Sequence, residues 1–324
     1  MTYRRWLRPL EWAAALAVIF FLGRHVARNW SQIAAYPWSI SWPRLVLASV
    51  CIAFAYTIFV LMWRRILRLL GGRLSIVDAH RIWYISNLGR YVPGKVWQLA
   101  GSAYMARAKD VSPILAVSAS LASQLFVLAG GLLVAALTLG GVAERIPRDI
   151  RLLGLLAALG LFAVLFTPLF GATYRAALRA LGRSDYYTYI RWGERALLLA
   201  AYALAWLGFG AGFYLFLSAT AESPAASFWP VVGISAAGYV AGFLVLLVPG
   251  GIGVREGVYA LLLSLYLPGS VAAAVAVLSR VWLTAVELAV AGFLLLRYGL
   301  EDLRPAVGLE AASEHERDSG GILD

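Results

Sequence analysis

Three short stretches hold most of the residues in this chain that could do chemistry. NLGRYVPGKVWQ sets Asn87, Arg90, Lys95 and Gln98 around the break Pro93-Gly94. VPGGIGVREG follows Pro249, Gly250, Gly251 and Gly253 with the adjacent charges Arg255 and Glu256. LSRVWLTAVELAV carries Arg280 and, seven residues on, Glu287. Cations beside a helix start, where backbone N–H groups are free, make an anion site. Glycines allow unusual dihedrals and close backbone approach. An acid or arginine within an apolar run is costly and marks a cavity, a path or a pair.

Each stretch also has a plainer reading. Arg90 and Lys95 could simply snorkel to lipid phosphates. The second stretch could be a Gly-rich turn closed by a capping acid, since Glu256 near a helix start complements the dipole. Arg280 and Glu287 share one helix face, and Glu287 is expected to pair with Arg280 or Arg255 as a buried ion pair. The adjacent Arg255 and Glu256 point in different directions. Arg255 is therefore expected to meet a phosphate, and Glu256 to meet Arg280 or a backbone N–H.

Catalysis has little to work with. There is one cysteine, Cys51, in an apolar run, and His25, His80 and His315 are scattered. That excludes two-cysteine redox and zinc motifs. No nucleophile–base pair or carboxylate cluster is visible. A binding protein without cofactor or metal is expected rather than an enzyme. A lipid-modifying transferase and a membrane scaffold are the alternatives.

The elements that must position these residues are membrane helices. The 324 residues are 61% hydrophobic and 14% charged, whereas soluble domains are about half apolar and a quarter charged. Apolar runs at residues 10–23, 45–63, 114–139, 152–170, 196–217, 228–248, 254–267 and 271–296 are candidate spans, though the first and seventh are short of the roughly 20 residues a crossing takes. The expected fold is all-α: a polytopic helical membrane protein of about eight transmembrane helices with one or two broken or re-entrant segments. Residues 76–110 are too aromatic for a plain loop and too charged for an ordinary span. Two short helices meeting at Pro93-Gly94 are expected, because proline removes a backbone donor and its predecessor avoids helical geometry. A helix beginning near Gly94 would put Gln98, Gly101, Ser102 and Met105 on one face. The segment is either a re-entrant hairpin or an interfacial amphipathic pair. Gly208 with Gly212, and Gly238 with Gly242, are small-xxx-small packing contacts.

The net charge is +11. Arginines gather at the N-terminus and in alternate loops, which places both termini in the cytoplasm by the positive-inside rule. Residues 1–300 are expected to form the transmembrane domain. Residues 301–324 are acidic and poor in aromatics, as expected of a disordered cytoplasmic tail. Without a basic soluble domain, nucleic acid is not an expected partner; membrane lipid is.

The segments 87–113 (NLGRYVPGKVWQLAGSAYMARAKDVSP) and 248–287 (VPGGIGVREGVYALLLSLYLPGSVAAAVAVLSRVWLTAVE) resemble the flippase-like, eight-span membrane domain of lysylphosphatidylglycerol synthases and their stand-alone relatives. The likeness extends over about residues 10 to 300. Many members carry a glutamate after the first glycine; this chain has Lys95 and Gln98 in that region. The resemblance implies an inner-membrane protein that moves lipid between leaflets. It also implies that the chain, without the soluble aminoacyltransferase domain, does not itself aminoacylate lipid.

Overall fold

The computed structural model describes residues 28, 30–91, 97–140, 144, 148–169, 171–172, 190–220, 227–245 and 251–303. The secondary structure of these residues is dominated by α-helix. In chain order the helices are α1 (Trp30–Ala35), α2 (Trp42–Leu69), α3 (Ile76–Asn87), α4 (Trp97–Arg107), α5 (Pro113–Thr138), α6 (Arg148–Phe166), α7 (Trp192–Thr220), α8 (Phe228–Leu244), α9 (Val254–Leu263) and α10 (Gly269–Tyr298). Local chemistry sets several starts. Proline stands in the first turn of α2 and α5, where its missing N–H costs nothing. The Ser75 hydroxyl accepts the Asp78 N–H at 3.0 Å and so caps α3.

Four helices, α2, α5, α7 and α10, are long and apolar enough to cross a membrane, and they match the expected spans 45–63, 114–139, 196–217 and 271–296. α6 and α8 are shorter apolar helices. The expected seventh span, 254–267, is the ten-residue α9. At 1.5 Å per residue α9 is about 15 Å long, half of a roughly 30 Å hydrocarbon core. It is a half-helix behind a glycine-rich break. The expected first span, residues 10–23, lies outside the described residues.

Outward faces are as apolar as inward ones. Val46, Val50 and Phe54 of α2 and Leu152, Leu155 and Leu159 of α6 are exposed, as lipid contact requires. Without a hydrophobic drive between helices in lipid, close packing and polar contacts must hold them together. A Cβ at Gly212 would lie 3.0 Å from the Ala48 carbonyl, so α7 packs directly on the α2 backbone. Trp206 donates its Nε1–H to the Val127 carbonyl at 2.8 Å and ties α7 to α5. Trp282 donates to Ser49 Oγ at 3.0 Å and ties α10 to α2.

α3 and α4 form the expected helix pair, joined through the 3-10 turn Leu88–Tyr91. Pro93, Gly94 and Lys95 lie outside the described residues, and α4 begins at Trp97 rather than near Gly94. The buried Ser102 and Met105, with Gly101 against Ser86, face inward as expected. Two anchors fix the direction of the pair. At its base, Arg81 donates Nη2 to the Tyr298 and Gly299 carbonyls at 3.1 and 2.7 Å, at the C-terminal end of α10. At its tip, Arg90 meets Glu287 in the middle third of α10. α3 therefore runs antiparallel along the second half of α10, inward from its end. That course, from the end of α10 toward its middle, is compatible with the re-entrant hairpin of the two readings.

The tip is tightly closed. A Cβ at Gly89 would lie 2.8 Å from both the Gln98 nitrogen and the Trp97 carbonyl carbon. Gly89→Ala is expected to push the two arms apart at a cost of about 1–3 kcal/mol. Hydrogen exchange of the α3 and α4 amides checks this; unchanged protection would mean that the tip has room to spare.

Candidate functional site

The hairpin tip, the start of α9 and the middle of α10 close around one cavity of about 270 Å³. Asn87, Arg90 and Gln98 line it from the hairpin, Gly251 and Arg255 from the second break, and Arg280 and Glu287 from α10. Sequence reasoning placed all seven at a site, and the structure brings them together. Pro249 and Gly250 lie outside the described residues. Gly253 and Glu256 stand behind the cavity wall.

The carboxylates are fully engaged. Glu287 forms an ion pair with Arg90 Nη2 at 2.6 Å through one oxygen and accepts the Tyr56 hydroxyl at 2.5 Å through the other. It therefore does not pair with Arg280 or Arg255 as expected. Residues seven apart share a helix face but are about 10.5 Å apart along the axis, so each charge takes a nearer partner from another helix. Tyr56 is mid-way along α2, so this cluster links the centres of two membrane-crossing helices. Glu256 takes both partners expected of it. One oxygen meets Arg280 Nη1 at 3.2 Å, and the other accepts the Gly253 N–H, closing the first turn of α9. Gly253, at φ +86°, is the helix cap that this geometry needs.

Arg255 differs. It is 7% exposed and donates Nε–H to the Tyr259 hydroxyl at 3.0 Å, which in turn donates to the Ser235 carbonyl at 3.1 Å. Its guanidinium lies over the rings of Phe209, Tyr239 and Tyr259 at 5.6, 5.6 and 5.3 Å, a favourable cation–π setting. Its Nη2 is buried with no hydrogen-bond partner. Arg90 has Glu287 and Arg280 has Glu256; of these three described arginines, Arg255 is the one without a direct carboxylate contact. The cavity is thus built to attract an anion. The glycines of α8 make this possible: a Cβ at Gly238 would collide with the Tyr259 ring, and one at Gly242 would lie 3.1 Å from Arg255 Cβ. The expected packing glycines are therefore also what lets the site close.

A family model described as the lysylphosphatidylglycerol synthase TM region matches residues 10–291. The chain belongs to that family. Comparison with curated proteins returned no match. Both sequence segments that resembled the family lie within the matched range, and their described residues supply most of the charged cavity wall. As a member of the lysylphosphatidylglycerol synthase TM region family, the chain is a polytopic helical membrane protein.

Several lining residues escaped the sequence reading. Thr284 stands between Arg280 and Glu287 on one face of α10, and Ser120 and Gln124 are four apart on α5; their helical spacing was a usable signal. Tyr56 and Tyr239 carried none, because an aromatic in a membrane helix is ordinary. Asn87 accepts a hydrogen bond from the Gln98 amide across the hairpin tip, so these two polar residues hold the two arms in register. A smaller space of about 40 Å³ adjoins the cavity and shares Asn87, Arg90, Gln98, Ser120, Gln124 and Tyr239 with it. It reaches inward to Ser123, whose hydroxyl lies 2.5 Å from the Tyr202 hydroxyl.

Proposed function

We propose that the protein translocates an anionic or amphiphilic lipid between leaflets, its headgroup passing through the cavity between the hairpin tip and the second break. The observation that carries this reading is the Arg255 guanidinium in the cavity wall, with a buried Nη2 that has no hydrogen-bond partner and no direct carboxylate contact. Carrying a polar headgroup through hydrocarbon is expensive. A cavity at mid-helix depth with fixed donors replaces the lost hydration and lowers that barrier. Arg255 is the principal headgroup contact, Arg90 and Arg280 set the positive potential, and Glu287 and Glu256 hold those two arginines in place. On this reading the protein resides in the cell inner membrane with both termini cytoplasmic, as its loop arginines favour. It binds and moves lipid without chemical change.

Arg255→Gln tests the proposal. No carboxylate is orphaned by the change, so the variant is expected to fold and insert normally. Loss of a charged hydrogen bond of about 1.5–3 kcal/mol should slow lipid movement about tenfold or more. The readout is the rate at which a fluorescent anionic phospholipid becomes accessible to a membrane-impermeant quencher in reconstituted phosphatidylcholine vesicles. A well-folded Arg255→Gln protein that moves the lipid at the parent rate removes Arg255 from the path.

A further inference from the structure

We infer that Tyr259 is a positioning residue of the cavity: its phenol, locked as an acceptor by α8, fixes the rotation at which Arg255 meets an anionic headgroup. This rests on reading the cavity as a headgroup site and names a residue through which that site works. Among the described residues, Arg255 lines the cavity, and Tyr259, 1% exposed, stands behind it. Tyr259 therefore acts through Arg255 rather than on the ligand.

Three aromatic rings hold the guanidinium, from Phe209 on α7, Tyr239 on α8 and Tyr259 on α9. A ring face attracts a cation through its quadrupole, and that attraction does not set how the planar fork is turned. A hydrogen bond does, because it has a preferred direction. Arg255 and Tyr259 are four apart on α9 and share one face, so the Nε–H reaches the Tyr259 oxygen at 3.0 Å. A phenol can donate or accept. Here its single proton goes to the Ser235 carbonyl at 3.1 Å, and its oxygen is left to Arg255 as an acceptor only. Gly238 makes the room on α8, since a Cβ there would collide with the Tyr259 ring. With Nε–H committed, Nη2 remains a buried donor without a partner. A fork held still before the ligand arrives loses less freedom on binding, which is the advantage the phenol supplies.

Tyr259→Phe in the full chain tests the inference, since it keeps the ring and removes the hydroxyl. In phosphatidylcholine vesicles carrying a fluorescent anionic phospholipid, the variant is expected to move that lipid about fivefold more slowly, as for the loss of one ordinary hydrogen bond. Combined with Arg255→Gln, it should add no further loss, because the group it positions is gone. A merely structural role would slow both backgrounds alike, and that result overturns the inference. In nonionic detergent, with isotope-labelled arginine, the Arg255 Nε–H resonance is the one missing from Arg255→Gln. It should exchange slowly with solvent in the parent and about tenfold faster in Tyr259→Phe. Exchange in the parent as fast as that of exposed arginines overturns the inference even where Tyr259→Phe folds poorly. A well-folded Tyr259→Phe that moves lipid at the parent rate, beside a slow Arg255→Gln, removes Tyr259 from the site and leaves the translocation reading. Parent-rate movement by Arg255→Gln, with Nε–H protection lost in Tyr259→Phe, removes the translocation reading and leaves Tyr259 as the residue that holds Arg255.

Discussion

Glu287→Ala is expected to destabilise the protein by about 3–5 kcal/mol, the range for removing one partner of a buried ion pair. The carboxylate is 4% exposed and serves Arg90 at 2.6 Å and Tyr56 at 2.5 Å. Its loss takes a carboxylate from the Arg90 guanidinium at the hairpin tip and the acceptor from the buried Tyr56 phenol on α2. Both helices, and the inward end of the hairpin, lose their common acceptor. Arg90→Met combined with Glu287→Met should recover most of the lost stability, because apolar side chains of similar volume need no partner. Thermal unfolding in detergent across the full double-mutant cycle measures the coupling. A Glu287→Ala protein within about 1 kcal/mol of the parent would show that water reaches the pair. Removing a paired charge should damage the fold, whereas removing Arg255 should damage lipid movement.

Gly251→Ala should cost about 2–6 kcal/mol by two separate effects. Gly251 sits at φ +64°, a left-handed conformation that costs an L-residue roughly 1–3 kcal/mol. Its Cβ would also lie 2.7 Å from the Gly242 carbonyl oxygen and 2.8 Å from the Gly242 Cα, and backbone cannot swing aside as a side chain can. The break would have to move away from α8, carrying Arg255 out of its aromatic cage. Gly257→Ala on the same short helix is the control. Nothing lies within 4 Å of a Cβ there, so the change should be neutral or slightly stabilising. Folded yield and melting temperature of the two variants, purified side by side, decide the matter. Equal behaviour would mean that the close approach of the break to α8 is dispensable.

Much of this protein was legible from residue types alone. Runs of apolar residues longer than a bilayer is thick have one stable helical solution, because backbone polar groups have no water to bond. Pro93-Gly94 and the glycines after Pro249 disfavour helix by covalent geometry, and the described helices end before and begin after each stretch. Arginines and glutamates within apolar runs marked the site for the same energetic reason. What the sequence could not say is which helix faces which. In a soluble helix the apolar stripe points inward; here lipid and core are equally apolar, and the pattern marks a span without marking its inner face. Hence Glu287 read as the partner of Arg280 or Arg255, its neighbours in the site stretches. Only the fold set Arg90, nearly two hundred residues away, against it. The course of the hairpin along α10, the engagement of Tyr56, and the placing of Arg255 among aromatic rings rather than against a carboxylate were likewise decided by tertiary packing. Each depends on distances across helices, which a period of 3.6 residues along one helix does not encode.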